Sequence, residues 1–306
     1  MWSLKLEAGN SIRQKKFWLI TALMVLIYIM AFYEIRDNLE GASNPQGLLA
    51  TSLVGYIMVS AFLFIGLYAL IAGATSLNSD LENGTIRVAL SKPIRRAPYL
   101  LGKFLGQSVS IIVAMLIATL LSFVITKYYG VSLTGKLISD LVLANGLILL
   151  AMLQLLALGI LISSVIRSQN TALGVALVLF LVTSLVMPQV VDGWAEKKAD
   201  KEFGIQKRGD FLKLAPEEKS KYQQRREELQ REYHLKYLFY APQVMMMDAL
   251  KDMEETSFND DGTYTIEYLG VGHSIAKNPT QVLIILGLTP VYLALGLVRF
   301  LRMDLR

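Results

Sequence analysis

Six uninterrupted apolar stretches organise the chain, at residues 17–33, 48–73, 104–125, 141–165, 171–191 and 281–298. None of them contains Asp, Glu, Lys, Arg or His. A charge at mid-bilayer costs about 2.5–3.5 kcal/mol even on the gentlest scale, so runs this long and this clean belong in hydrocarbon. About 20 apolar residues in a helix cross a core roughly 30 Å thick, and the first run reaches that length with a few flanking residues. The pattern predicts an all-α membrane protein with six transmembrane helices.

The polar segments between the runs differ in kind. The first 16 residues alternate Trp2, Leu6 and Ile12 with Lys5, Arg13, Lys15 and Lys16, which predicts an amphipathic helix lying on the membrane surface. No cleavable leader is expected, because the first run is long and lacks a small-residue cleavage pattern after it. The longest polar segment is 192–279, an insertion before the last helix. A helix is expected over 216–238, with Pro216 at its first position, Glu217 and Glu218 in its first turn, and Arg231 and Lys236 near its end. A turn is expected at Asn259–Gly262 and a short extended stretch over 263–268. These divisions give three units: 1–191 with five spans and the loop 78–103, the insertion 192–279, and 280–306 with the sixth span and a tail.

Charge sets the orientation. With the N-terminus inside, the short inner segments hold 13 Lys and Arg, whereas the two short outer loops hold only Arg36, Lys127 and Lys136. This asymmetry places both termini in the cytoplasm and the insertion outside. The insertion carries 14 Lys and Arg against 17 Asp and Glu, so it is mixed rather than basic, and no nucleic-acid partner is expected. Mean hydropathy is +0.45, which agrees with a cell-membrane protein held by lipid.

The loop between the second and third runs is too patterned for a tether. Residues 79–90 can form a short amphipathic helix with Leu81, Ile86 and Leu90 near one face, stopped by Ser91-Lys-Pro93. A short helix at the inner face suits docking on a cytoplasmic partner and passing force to the spans. The string ENGTIRVALSKPIRRAPYLLGKFLG resembles the signature loop of type-2 ABC exporter permeases, matching at Glu82, Gly84-Thr85, Leu90-Ser91, Pro93-Ile94, Arg96 and Gly102-Lys103. The N-terminal helix, the six spans and the chain length also resemble that family, most of all the branch that includes the permease of the nitrous-oxide-reductase maturation transporter. The long insertion departs from it, since many relatives have a short re-entrant hairpin there.

The resemblance implies a half-transporter. Two permease chains, identical or different, would pair, and a cytoplasmic ABC ATPase subunit would bind each. The 78–103 loop would be the coupling helix. Glu82, Gly84, Thr85, Ser91, Pro93 and Lys103 would lie at or near the ATPase contact, with Arg95 and Arg96 on its acidic groups or on lipid phosphates.

Candidate chemistry is sparse. There is no cysteine, hence no disulfide and no thiolate site. Gly130–Leu137 approaches a phosphate-binding loop but has Leu137 where magnesium binding needs Ser or Thr. Met245-Met-Met247 points its thioethers in three directions on a helix and makes a poor copper chelate. His234 and His273 read as ordinary packed or surface residues. No catalytic centre, metal or cofactor is expected. The uncharged polar residues Asn145, Gln154 and Thr183, with Gln107 and Ser184, either bond between helices or line a substrate path. Gly102 and Gly106 suggest a close helix contact, and Pro188 and Pro290 suggest bends. Ion-coupled carriers usually hold an ionisable group at mid-membrane, and its absence here favours a drive from outside the bilayer. The function expected is therefore an ATP-driven exporter permease, with the insertion open to an extracytoplasmic partner. The alternative is a membrane anchor or sensor whose insertion binds a ligand.

Overall fold

A computed structural model describes residues 61–84, 96–128, 134–206, 210–211, 215–258 and 264–303. Among the first 60 it describes Gly9, Arg13, Phe17, Trp18, Thr21, Ala22, Val25, Leu26, Ile29, Met30, Tyr33, Ser52 and Gly55, all helical. Most of the expected surface helix, nearly half of the first run and most of the first half of the second run lie outside the described residues.

Nine α-helices are described: α1 (Leu67–Glu82), α2 (Arg96–Tyr128), α3 (Gly135–Val165), α4 (Gln169–Leu181), α5 (Met187–Glu202), α6 (Pro216–Tyr237), α7 (Pro242–Ala249), α8 (Val271–Lys277) and α9 (Pro279–Leu301). π-helical turns lead into α1 (Ala61–Gly66) and join α4 to α5 (Val182–Val186). A small antiparallel hairpin, β1 (Glu254–Phe258) with β2 (Tyr264–Tyr268), pairs Glu254 with Tyr268 and Phe258 with Tyr264. The extended stretch expected near 263–268 is thus β2. Its partner β1, EETSF, lacks a clear alternation and was not expected.

Among the described residues four helices are long and apolar enough to cross a membrane: Arg96–Leu121, Gly135–Val165, Gln169–Glu202 and Pro279–Leu301. They correspond to the last four apolar runs. α3 is the hub, since 61% of its most apolar stretch is buried against 17% for each of the last two spans. It packs mainly on α1 and α9, while α4 lies on α1. The outward faces of α4 and α9 carry Leu173, Val178, Leu181, Leu283 and Leu295, all exposed, as lipid-facing helices require.

The α1–α3 contact depends on missing side chains. A Cβ on Gly73 would stand 2.4 Å from the Leu156 carbonyl oxygen, and one on Gly159 would stand 2.4 Å from that of Leu70. The two backbones touch at these glycines, as close membrane crossings do. The amides of Leu77 and Asn78 then reach the Ser163 hydroxyl at 3.0 and 3.3 Å. Gly102 and Gly106 are buried too.

The fifth run does not end at residue 191. α4, the π-turn and α5 form one continuous helix, Gln169–Glu202, about 50 Å long at 1.5 Å per residue. Its charged far half packs antiparallel on α6, with Ala195, Ala199, Tyr222 and Leu229 as a separate small core. The helix expected over 216–238 is α6. Burial and the bond to Asp200 push the Tyr222 hydroxyl up to about 12.

The insertion then turns back into the bundle. α7 is buried along Pro242–Met246 and wedges between α3 and α9. Asp140, near the start of α3, fastens the rest: its Oδ2 accepts from the Tyr268 hydroxyl at 2.7 Å and its Oδ1 from the Val271 amide at 2.9 Å. Gly270, at φ +98°, lets the chain pass so near the carboxylate that a Cβ would lie 3.2 Å from both oxygens.

Candidate functional site

Two polar constructions stand at opposite ends of the bundle. The first gathers where α1 and α3 end, α2 and α4 begin, and α9 ends. The helix expected to start at Ser79 is instead the last turn of α1, which closes at Glu82 before Gly84 at φ +69°. The positive φ suits a glycine and turns the chain out of the helix. Residues 85–95, with Thr85, Ser91, Pro93 and Arg95, lie outside the described residues.

The residues flanking that gap are tied inward. Asp80 pairs with Lys103 at 2.6 Å, both nearly buried, and also accepts from the Tyr99 hydroxyl. The Lys103 ammonium lies 5.7 Å from the centre of the Tyr99 ring, and that ring stacks on Phe300 at 6.2 Å. The pair is protected from solvent, so losing either partner would weaken the support of a nearly buried charge. Glu82 accepts from the Gln169 amide at 2.9 Å, placing a carboxylate at the start of α4 where the helix dipole favours it. Ser168 caps the same end through the Thr171 amide. Arg96 donates to the carbonyls of Leu301 and Met303 at 3.1 and 2.9 Å, closing the last turn of α9 with a cation. Of the residues the signature loop singled out, Glu82, Arg96 and Lys103 thus join α1, α2, α4 and α9 into one collar. Asp80, the collar's centre, was missed. Its signal was present as an acidic residue in the loop flank opposite Lys103, but pairing across 23 positions has no local signature.

The uncharged polar residues are engaged in separate hydrogen bonds. Asn145 donates to the Leu141 carbonyl of its own helix at 2.7 Å. Gln154 donates to the Tyr240 carbonyl at 3.3 Å, and the Thr183 carbonyl accepts from Gln243 at 2.8 Å. The last bond has a local cause. In the π-turn the Met187 amide bonds the Val182 carbonyl, five residues back. Pro188 has no N–H to offer Thr183, so that carbonyl is orphaned inside the protein and Gln243 answers it. Gln243 also donates to the Ser184 hydroxyl at 3.2 Å. Gln154 and Thr183 therefore meet the same re-entering 240–243 segment.

The second construction lies where the insertion meets the bundle. His234 sends Nε2 to Asp192 Oδ1 at 2.8 Å and Nδ1 to Asp248 at 2.9 Å, linking α5, α6 and α7. Burial alone would lower its pKa, but the two carboxylates outweigh that and push it up to about 9, so the imidazolium persists at neutral pH. Close by, Asp252 accepts from Arg231 at 2.7 Å, from Asn278 at 2.7 Å and from Lys277 at 3.1 Å. Burial would raise this carboxyl, and the three donors instead hold it well below the usual carboxylate range. Among the described residues no group of three His, Cys, Asp or Glu is arranged to hold a metal, and Met245 and Met246 are buried as packing.

A helical bundle with long, clean apolar spans defines a multi-pass membrane protein. The profile of the ABC-2 family transporter protein matches residues 1–305, and the chain belongs to that family. It is therefore a permease component of an ABC transporter, a class that associates with an ABC ATPase subunit and another permease chain. Among curated proteins none matches it.

Proposed function

We propose that this chain is the permease subunit of an ABC exporter in the cell membrane, with six spans and both termini cytoplasmic, driven by a separate ATPase seated on the 78–103 loop. The assignment to the branch near the nitrous-oxide-reductase maturation permease is carried by the string Glu82–Lys103. The observation that supports the coupling role most is the collar. It fastens the two flanks of residues 85–95 to four helices, so a push on the loop would reach the bundle without slack. On this reading Gly84, Thr85, Ser91, Pro93 and Arg95 meet the ATPase, while Glu82, Arg96 and Lys103 pass the motion on. The path across the membrane would run past Asn145, Gln154 and Thr183, and the insertion 192–279 would stand outside for a partner.

Co-expression with a candidate ABC ATPase subunit tests this. Arg95→Glu is expected to lower ATPase recovery with the membrane protein while leaving its melting temperature unchanged. The double variant Glu82→Ala/Arg96→Ala is expected to remain inserted and to lose stimulated ATP turnover. Undiminished association and turnover in both would end the coupling assignment. If no ATPase co-purifies with the unaltered chain, the sensor reading gains.

A further inference from the structure

A cavity of about 440 Å³ opens beside the π-turn, between the α4–α5 helix and α7. Its wall grades along the helix axis. At one end stand Leu185, Pro188, Val244 and Met247; at the other stand Asp192, His234, Asp248 and Lys251. From Ser184 to Asp192 the wall runs about 12 Å at 1.5 Å per residue, room for a polar head and the upper part of an aliphatic chain. Leu185 and Met247 at its rim are 45% and 51% exposed, so the apolar end is open to the surroundings of the bundle.

The charged end is balanced but polarised. Asp248 is 6% exposed and fully engaged by His234. Asp192 gives His234 only Oδ1, its side chain is 39% exposed, and its second oxygen has no hydrogen-bond partner among the described residues. Lys251 is held loosely, 3.5 Å from Gln230 Oε1 and 3.9 Å from Glu227. The two carboxylates are offset by the imidazolium and the ammonium, so a ligand of net charge would find no overall attraction. A ligand carrying both signs would find a half-free carboxylate and a half-free ammonium at fixed places.

We propose that this cavity binds a zwitterionic amphiphile with a primary ammonium, its N–H groups on Asp192, its anionic group toward Lys251 and its chain along Leu185, Val244 and Met247. A phospholipid with an ethanolamine head has this chemistry, as does any secreted amphiphile of the same design. The neutral total charge disfavours purely anionic lipids. The need for N–H donors disfavours a quaternary ammonium, which can satisfy Asp192 only as a diffuse charge.

The chain lacks cysteine, so Met247→Cys introduces a single reporter at the rim. The full-length variant is reconstituted in nanodiscs of phosphatidylcholine alone, or with phosphatidylethanolamine or phosphatidylglycerol added. Maleimide modification is timed in each. Phosphatidylethanolamine is expected to slow labelling several-fold, phosphatidylglycerol to leave it unchanged, and Asp192→Asn to abolish the protection. Leu185→Trp, which fills the apolar end from an exposed position, is expected to abolish it without touching the charged groups. Equal protection by phosphatidylglycerol, or protection that survives both substitutions, overturns the proposal. Protection by free phosphoethanolamine in the phosphatidylcholine discs would also overturn it, by showing that no chain is needed. The assay uses no ATPase, so its failure leaves the transport reading standing.

Discussion

At the scale of single residues, His234 joins three helices through one ring. Its pKa in the folded chain is raised, so the stability it contributes is fully present below the ordinary histidine range and is lost as pH climbs through about 9. The melting temperature of the purified chain is expected to fall between about pH 6.5 and 9, the interval between free and bound imidazole. In His234→Gln the fall should be much shallower, measured by thermal unfolding in one detergent. Asp252 has the opposite sign: its carboxyl is lowered, and what it contributes disappears as pH drops below the ordinary carboxylate range. Neither role was legible in sequence. The partners of His234 lie 42 and 14 positions away, and a lone histidine in a charged segment carries no pattern. What could be read was the absence of ionisable groups within the runs, because each run is tested against the bilayer residue by residue.

At the scale of elements, two contacts decide how helices meet. Gly73→Ala places a methyl against backbone, which cannot swing aside as a side chain can. Overpacking of this kind is expected to cost about 1–3 kcal/mol, read as a lower melting temperature. Gly174→Ala, in open space on α4, should cost far less. The α1–α3 contact could have been found. Ala69 with Gly73, and Gly159 with Ser163, are small pairs four apart inside apolar runs. The second contact is the Gln243 bond to the orphaned Thr183 carbonyl. Gln243→Leu keeps the volume and removes both donors, so about 1–3 kcal/mol of stability is expected to go, with increased amide exchange confined to residues near the π-turn. Pro188 signalled a bend, and it also leaves a carbonyl that is answered from the insertion. The length of α4 with α5 also escaped the pattern, since apolar periodicity stops at the bilayer edge while the backbone hydrogen bonding does not.

At the scale of the whole molecule, the insertion has two parts with different duties. Asp192, Arg231, His234 and α7 belong to the bundle, whereas the tip of the α5–α6 hairpin has its own small core around Ala199 and Tyr222. Replacing residues 199–225 with a short Gly-Ser linker keeps every described tie of Asp192, Arg231, His234 and α7 to the bundle. It is expected to leave membrane insertion and melting temperature close to those of the full chain, while removing whatever surface an external partner uses. A large loss of folded protein, seen by size-exclusion chromatography, would show that the tip is structural. The family and the membrane class were legible because run length, charge bias and the signature loop are each local. The re-entry of α7 between α3 and α9 was not, since nothing local tells a helix of eight residues how deep it sits.

The single helix from Gln169 to Glu202 gives the molecule a stiff axle. Its lower bearing is the Glu82 carboxylate, and the π-turn partway along it is clamped by Gln243. A turn of that axle by a few degrees at Gln169 would arrive at Asp192 almost undiminished. The cavity beside it would then widen or narrow in step with events some 35 Å away along the same helix.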